Sequence, residues 1–271
     1  MQPLLFFYLN PKGNMLLLIF LQLLYTGAAA EMPCVTVPGK LRQLDAGSGE
    51  VYGVSDDRSV YFWHSNRWEQ IKGNYLHVTV GPAGVWAVNN LNRVYRLQNF
   101  EWMQLSGRLK QIDAGGDMFL VGVDSKESIY CLNQESVKGT ALSYMEVEGR
   151  LKYYSCGPLG CWGVNDAYET YYQKNVTQTS CQGVGSMRVQ GSLAMVEVGT
   201  DGSVFAVDPN GKVYRRKGIS PKKPTGTTWE ELDLYDNFKH VSYDAGFLWL
   251  IAENGSIIKC AYPESILPSV L

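Results

Sequence analysis

Asparagine, aspartate and tryptophan recur in this chain at regular intervals. The polar residues follow short apolar runs, and several of the tryptophans, among them Trp86 and Trp162, lie inside such runs. Amide and carboxylate groups at equivalent places, near aromatic rings, would form several similar hydrogen-bonding sites for a ligand with many polar groups. The residues that could form these sites are Asp57, Asn74, Asn90, Asn92, Asp124, Asp166, Tyr168, Asp208, Asn210, Trp86 and Trp162.

The same residues have a structural interpretation. Aspartate, asparagine and glycine are favoured in hairpin turns, whatever the protein binds. Trp86 and Trp162 lie on runs where sheets would pack against each other, so each indole could be a core residue or a ligand-stacking residue. The sequence leaves both interpretations open.

Catalytic motifs are absent from the sequence. The three histidines, His64, His77 and His240, have no cysteine, serine or paired carboxylate at motif spacing, and no phosphate loop or zinc motif occurs. We therefore expect that the protein is not an enzyme and requires no cofactor, and the sequence identifies no metal site. The remaining enzymatic alternative is glycoside hydrolysis by two carboxylates that the fold brings together.

The elements that would position these residues form a repeat. The phrase GPAGVWAVNNLNRVYRL at residues 81–97 returns as GPLGCWGVNDAYETYYQ from residue 157, and related phrases make six units in all. Each unit has four short runs of alternating polarity, rich in Val, Tyr and Trp and separated by turn residues, which is typical of strands. The predicted fold is an all-β, six-bladed β-propeller with four antiparallel strands per blade.

The cysteines indicate how the ring closes. The sixth unit ends at Cys260 after three runs, and residues 34–39 have the pattern of the missing fourth. We therefore expect the N-terminal strand to complete the last blade, with a Cys34–Cys260 disulfide. Cys156 and Cys161 flank a turn and could bridge it, which leaves Cys131–Cys181 by elimination.

The N-terminus predicts export. Residues 15–24 form an apolar run, followed by a small-residue cleavage pattern near Ala30, so residues 1–30 are expected to be a signal peptide, starting at Met1 or Met15. An N-terminal core helix is the alternative. The propeller would span residues 31–262, followed by a tail, 263–271. In a secreted, extracellular protein, disulfides form and the sequons at Asn175 and Asn254 become usable glycosylation sites.

The repeated phrase resembles the tectonin family. Gly81, Pro82, Trp86 and Asn89, with their counterparts in residues 157–165, carry the similarity, and residues 32–262 are similar throughout to the fish-egg lectins of that family. Blades one, three, five and six depart from the phrase at the turn. The resemblance implies a multivalent lectin for N-acetylglucosamine-type sugars or bacterial surface polysaccharide in egg or innate defence. Some members of the family bind calcium, which leaves calcium binding open here, and the recurring polar and tryptophan residues are the candidates for sugar contacts.

Other partners are less favoured by the sequence. A net charge of −2 gives no general reason to expect nucleic acid, and no second apolar stretch could span a membrane. The basic stretch from Arg215 to Lys223 could hold an acidic glycan or be a solvated loop. A structural or adaptor propeller that binds proteins of the egg envelope is the alternative function, and a homodimer is compatible with either.

Overall fold

The computed structural model describes residues 6–9, 15–18, 32–116, 118–139, 142–177 and 179–262. The chain divides into two compact units, Met1–Met32 and Pro33–Leu271. In the first unit, strands β1 (Phe6–Leu9) and β2 (Met15–Leu18) pair antiparallel. The expected cleavage site at Ala30 and the tail 263–271 lie outside the described residues, so the signal peptide stays a prediction. No helix among the described residues is long and apolar enough to cross a membrane.

The second unit contains six four-stranded antiparallel sheets, each with its strands in chain order. Strand β3 (Cys34–Lys40) is the exception, since it is the outer strand of the sixth sheet. Blade one contains β4 (Gln43–Gly47), β5 (Glu50–Val54), β6 (Val60–His64) and β7 (Arg67–Ile71), and blade two contains β8 (His77–Gly81), β9 (Gly84–Val88), β10 (Arg93–Gln98) and β11 (Glu101–Arg108). Blade three contains β12 (Gln111–Asp113), β13 (Leu120–Val123), β14 (Ser128–Leu132) and β15 (Met145–Arg150), and blade four contains β16 (Tyr153–Gly157), β17 (Gly160–Val164), β18 (Glu169–Gln173) and β19 (Ser186–Ser192). Blade five contains β20 (Met195–Val198), β21 (Val204–Val207), β22 (Val213–Arg216) and β23 (Trp229–Glu231), and blade six contains β24 (Phe238–Asp244), β25 (Phe247–Ala252) and β26 (Ser256–Ala261) together with β3.

This architecture confirms the predicted six-bladed propeller and its closure. Strand β3 pairs antiparallel with β26, and Cys34 lies directly opposite Cys260. The two cysteines form a disulfide with a Cα–Cα distance of 4.0 Å. The N-terminal strand of the second unit therefore completes the last blade.

The other four cysteines are also paired. Cys156 and Cys161 are joined across the β16–β17 hairpin, with Cα atoms 4.0 Å apart. Cys131 on β14 is joined to Cys181 in the loop that connects β18 to β19, with Cα atoms 5.9 Å apart. This second bond ties blade three to blade four, and the three pairs are the same three that the sequence suggests.

The core lies between the blades. Alternating apolar residues of the strands form a buried cluster at most of the junctions; Val54 and Val78, for example, meet between blades one and two. At the junction of blades five and six, the rings of Phe205 and Tyr243 pack with centroids 4.9 Å apart. Each sheet therefore buries its faces against its neighbours, as a stack of four-stranded sheets must.

Glycines at the ends of the first strands let neighbouring blades approach closely. A Cβ atom on Gly47 would overlap the carbonyl oxygen of Val80, and one on Gly81 would overlap that of Ala114. A side chain cannot be accommodated there unless a backbone moves. These positions therefore set the spacing between blades around the axis.

Replacing Gly47 by alanine is expected to lower the free energy of unfolding by about 3 kcal/mol, because the methyl group must displace a packed strand. Gly185 is a suitable control: it has a φ of 69° and nothing within 4 Å of a built Cβ. Gly185→Ala carries only the backbone strain, about 1 kcal/mol. Urea unfolding of both variants measures the difference. Equal losses would contradict the close-packing argument.

Candidate functional site

The predicted polar residues of the turns bond largely to their own turns. Asp124 accepts hydrogen bonds from two backbone N–H groups of its turn, at 2.8 and 2.9 Å. Asp208 does the same at 2.9 and 2.8 Å. Asp57 accepts from the Ser55 hydroxyl and from the Ser59 amide, and the bond from Ser55 is the main reason why the pKa of Asp57 is lowered. These carboxylates thus stabilise hairpins, and any sugar contact by them stays a prediction.

The structure does not gather these residues into one site. Asp57 lies in blade one, Asp124 in blade three, and Asp208 with Asn210 in blade five. Asn74 and Asn90 are exposed, whereas Asn92 is half-buried with a φ of 58°. They occupy one rim of the propeller as separate turns. The rim therefore offers scattered hydrogen-bonding groups.

Two turns do meet where blade three joins blade four. Tyr168 has a φ of 61°, and the Lys152 Nζ lies 4.0 Å from the centroid of its ring. A hydrogen bond between the carboxyl groups of Asp166 and Glu127 raises the pKa of Glu127. The predicted pair Asp166 and Tyr168 therefore lies in a small mixed-charge cluster at this seam.

The two tryptophans of the repeated phrase are buried. Trp86 is 0% exposed and donates from Nε1 to the Ala83 carbonyl at 2.8 Å, and Trp162 is 2% exposed. Neither indole presents an open face to solvent. Each instead packs in the core cluster of a blade junction, Trp86 between blades two and three and Trp162 between blades four and five. The outer edges of these two junctions are called the crevices below.

An arginine lies over the indole in both crevices. The Arg96 guanidinium carbon is 5.4 Å from the centroid of Trp86, and that of Arg216 is 5.8 Å from Trp162 and 5.1 Å from Trp229. Contacts of this kind are attractive because the cation meets the negative face of the ring. The crevices thus combine indole rings with N–H donors.

Each arginine also holds a loop of the blade that follows the crevice. Arg96 Nη1 donates to the Val137 carbonyl at 2.6 Å, in the short helix α1 (Gln134–Lys138) of blade three. Arg216 Nε donates to the Thr225 carbonyl at 2.8 Å, in the loop 217–228 of blade five. The two arginines reach their tryptophans differently, since Arg96 lies on the same blade as Trp86 and Arg216 lies on the blade after that of Trp162.

A half-buried aromatic residue stands at the mouth of each crevice. Tyr144 packs edge-on against Tyr130 in the first, with centroids 6.3 Å apart, and Trp229 packs edge-on against Trp162 in the second, at 5.8 Å. An aromatic platform beside guanidinium N–H groups can hold a ring that has one apolar face and several hydroxyls.

The sequence contained these residues without showing their role. Arg216 belongs to the basic stretch expected to be a loop, yet Arg215 and Arg216 are each only 6% exposed. Lys217 pairs with Glu230 at 3.2 Å. The exposed cations of the stretch therefore reduce mainly to Lys222 and Lys223, which weakens the case for an acidic glycan there. The available signal in the sequence was Arg96, which follows Trp86 within the same repeated phrase.

Carboxylates of separate blades do meet at the propeller axis. Acids and hydroxyls alternate there on the first strands of blades one to six, in the order Asp45, Thr79, Asp113, Ser155, Glu197 and Ser242. Thr79 donates to Asp45 at 2.7 Å, and Ser155 lies 3.1 Å from Asp113 and 3.0 Å from Glu197. Ser242 also donates to Asp45, at 3.0 Å, so the ring of six side chains consists of two hydrogen-bonded groups, Ser242–Asp45–Thr79 and Asp113–Ser155–Glu197.

The ring is deeply buried, and this changes its acidity. Burial raises the pKa of Asp113 to about 8, with a further contribution from Asp45, and it raises the pKa of Glu197 well above its ordinary range. The carboxyl groups bond to protein hydroxyls and amides, so they do not form an open hydrolytic pair. Among the described residues, no group of three or more His, Cys, Asp or Glu side chains is placed to hold a metal ion. Calcium binding stays a prediction.

The Tectonin domain family matches residues 40–253 of the chain. The fish-egg lectin of Cyprinus carpio is 43% identical over 234 residues, which cover 84% of this chain and 98% of the carp protein. Tectonin-2 of Physarum polycephalum is 40% identical over 53 residues, 19% of this chain and 15% of that protein. Virginiamycin B lyase from Staphylococcus aureus aligns with a TM-score of 0.54 at 13% identity, covering 95% of this chain and 87% of that one, a likeness of fold alone.

The family match and the carp relative agree in extent. Both run through nearly all of the propeller, and the phrase GPxGxWxVN lies inside the matched residues. The chain belongs to the tectonin family.

Proposed function

We propose that this protein is a secreted, multivalent lectin that binds N-acetylglucosamine-type sugars in two crevices, between blades two and three and between blades four and five. The observation that carries the proposal is the pairing of an arginine with the tryptophan of the repeated phrase in both crevices. The carp relative, whose name is fish-egg lectin, supports carbohydrate binding as the function.

The chemistry of each crevice suits a pyranose. The half-buried rings of Tyr144 and Trp229 provide flat apolar surfaces for the C–H face of a sugar. The Arg216 guanidinium lies 5.1 Å from the centroid of Trp229, and that of Arg96 lies over Trp86, in the core cluster against which Tyr144 packs. A guanidinium has five N–H donors for hydroxyl or acetamido oxygens. Trp86 and Trp162 fix the positions of the arginines from behind. The indoles of the repeated phrase would thus support the site while the other aromatic residues contact sugar.

Several weak sites on one rigid ring would act together. A surface that repeats its sugar, such as a bacterial polysaccharide, allows the second binding event to occur at high effective concentration. The rim residues Asp57, Asp166 and Asp208 would add contacts to longer glycans. This is the physical basis of a role in egg or innate defence. Asn175 and Asn254 lie exposed in turns, where glycans could be attached in a secreted protein.

Chromatography on immobilised N-acetylglucosamine tests the proposal. We expect the mature protein to be retained and to elute with the free sugar. Retention that resists free sugar but yields to salt would instead support the adaptor function, with a protein as partner. Chitin oligomers incubated with the protein are expected to remain intact, and release of reducing ends would indicate a hydrolase.

The variants Tyr144→Ala and Trp229→Ala are each expected to remove one sugar molecule bound per chain, as counted by equilibrium dialysis. Trp68→Ala is the matched control, because Trp68 is a half-buried aromatic at the same strand position of blade one, outside both crevices. It should lower the melting temperature without changing the stoichiometry. Unchanged binding by both crevice variants would contradict the proposed sites.

A further inference from the structure

An aromatic side chain occupies the outer groove at four of the six blade junctions, and at two of these its half-buried ring is the surface that we propose contacts sugar. In each case the aromatic residue at the start of a blade's fourth strand, or just before it, packs on a glycine near the end of the fourth strand of the preceding blade. A Cβ built on Gly73 would lie 3.1 Å from Trp102 Nε1, and one on Gly191 would lie 2.9 Å from Trp229 Nε1. Trp68 covers Gly39 and Tyr144 covers Gly107 in the same way.

Blade four lacks this aromatic residue. Ser186 takes its place on β19, three residues before the buried Val189, and is exposed. The corresponding glycine of blade three, Gly149, has only the Ile129 Cδ1 within 4 Å of a built Cβ, at 3.5 Å. The groove between blades three and four is therefore open, and a cavity of about 290 Å³ lies in it.

The cavity has an apolar wall and several polar groups. Ile129, Leu151 and the ring of Tyr171 line it together with Asn165 and Gln173. Glu148 and Arg150 contribute one negative and one positive charge at its edge, so the lining has no net charge. A neutral ligand with both apolar and polar surfaces fits such a lining.

One buried hydroxyl in the cavity lacks a protein partner. Tyr154 is 2% exposed, lines the cavity, and its Oη has no hydrogen-bond partner in the structure. A buried polar group without a partner is unfavourable, because it has lost its bond to water and gained none in return. A ligand hydroxyl or carbonyl in the cavity would supply that bond.

The loop beside the cavity is also held in place. The loop that connects β18 to β19 is fastened to blade three by the Cys131–Cys181 disulfide. The Gln182 amide in that loop donates to the Glu146 carbonyl at 2.6 Å. A preformed cavity loses less conformational freedom on binding than a flexible one.

We propose that the cavity between blades three and four is a third carbohydrate site, which takes one neutral pyranose ring in the space that an aromatic side chain fills at four other junctions. This rests on the proposed function, since it assumes that the protein binds sugars. The volume, at the lower end for ligand pockets, suits a single ring. The Tyr154 hydroxyl would bond to a ring substituent.

The test restores the missing aromatic residue. Ser186→Trp, at a residue that lines the cavity, is expected to fill it, leave the melting temperature equal or higher, and reduce by one the number of N-acetylglucosamine molecules bound per chain in calorimetric titration. Met103→Trp is the control, because Met103 lies exposed on the fourth strand of blade two and should leave the stoichiometry unchanged. Tyr154→Phe should weaken the third site about fivefold, the value of one neutral hydrogen bond.

The outcomes separate this proposal from the proposed function. Full stoichiometry in Ser186→Trp, with the variant folded, would overturn the third site alone. An effect of Ser186→Trp without any effect of Tyr154→Phe would overturn the role of the hydroxyl. Failure of the wild-type protein to bind N-acetylglucosamine would overturn both proposals. Loss of one binding event in Ser186→Trp, while Tyr144→Ala and Trp229→Ala each remove another, would support both.

Discussion

Replacing Cys34 and Cys260 together by serine is expected to lower the free energy of unfolding by about 5 kcal/mol. The bond closes a loop with a sequence separation of 226 residues, so its loss frees nearly the whole propeller in the unfolded state. It also releases strand β3 from the last blade, where ring closure depends on its pairing with β26. Because single domains have only about 5–15 kcal/mol of stability, the ring-opened variant should unfold near physiological temperature.

The double variant Cys156→Ser and Cys161→Ser is the matched control. Its disulfide has a sequence separation of 5, so the same chain-entropy argument gives about 2 kcal/mol. Denaturant unfolding measures both values, and hydrogen exchange in β3 and β26 shows where the ring opens. Equal losses in the two double variants would contradict the role of Cys34–Cys260 as the closing bond.

Stability is expected to fall as the pH rises from about 6.5 to 9, and Asp113→Asn should flatten the decline. The pKa of Asp113 is raised to about 8 from 3.8, because burial and the nearby Asp45 disfavour the charged carboxylate. The folded protein therefore keeps a proton that the unfolded chain releases. This stabilising contribution is complete below about pH 4 and is lost as the pH rises through 8.

The other titrating groups at the axis do not cancel this trend. Burial raises the pKa values of Asp45 and Glu197, so these two act in the same direction. Burial lowers the pKa of His77 to about 3 and that of His240 to about 4. The histidines therefore destabilise the fold only at acid pH, since their contribution is complete above their ordinary pKa of 6.5.

The amide in Asp113→Asn can replace the protonated acid. Its oxygen can accept from the Cys156 amide, as Asp113 Oδ1 does at 2.9 Å, and its NH₂ can donate to Ser155. As the pH rises from 6.5 to 8, we expect the free energy of unfolding of this variant to fall by about 2 kcal/mol less than that of the wild type. Urea unfolding in EDTA, which keeps cations from neutralising the ring, measures this. A wild-type stability that rises over this interval would contradict a protonated ring.

Much of the fold could be predicted from the sequence, because the relevant signals are local or repeated. Alternation of polarity defines strands, Asp, Asn and Gly mark their turns, and six copies of one pattern define six blades. The closing strand could be recognised in the sequence, because the sixth unit lacks a fourth run and residues 34–39 have the pattern of one. The same patterns revealed little about the site, since the turn residues Asp124 and Asp208 serve their own hairpins.

The sequence by itself determined the number of blades, the strand that closes them and the cysteine partners, since each follows from counting and matching repeats. The tertiary structure alone decided that Arg96 and Arg216 are buried over tryptophans, that acids and hydroxyls alternate at the axis, and that a serine at residue 186 leaves a cavity open. The physical reason is that burial and contact depend on what the neighbouring blade places opposite a residue, and blade twist and ring closure bring together residues that are far apart in the chain.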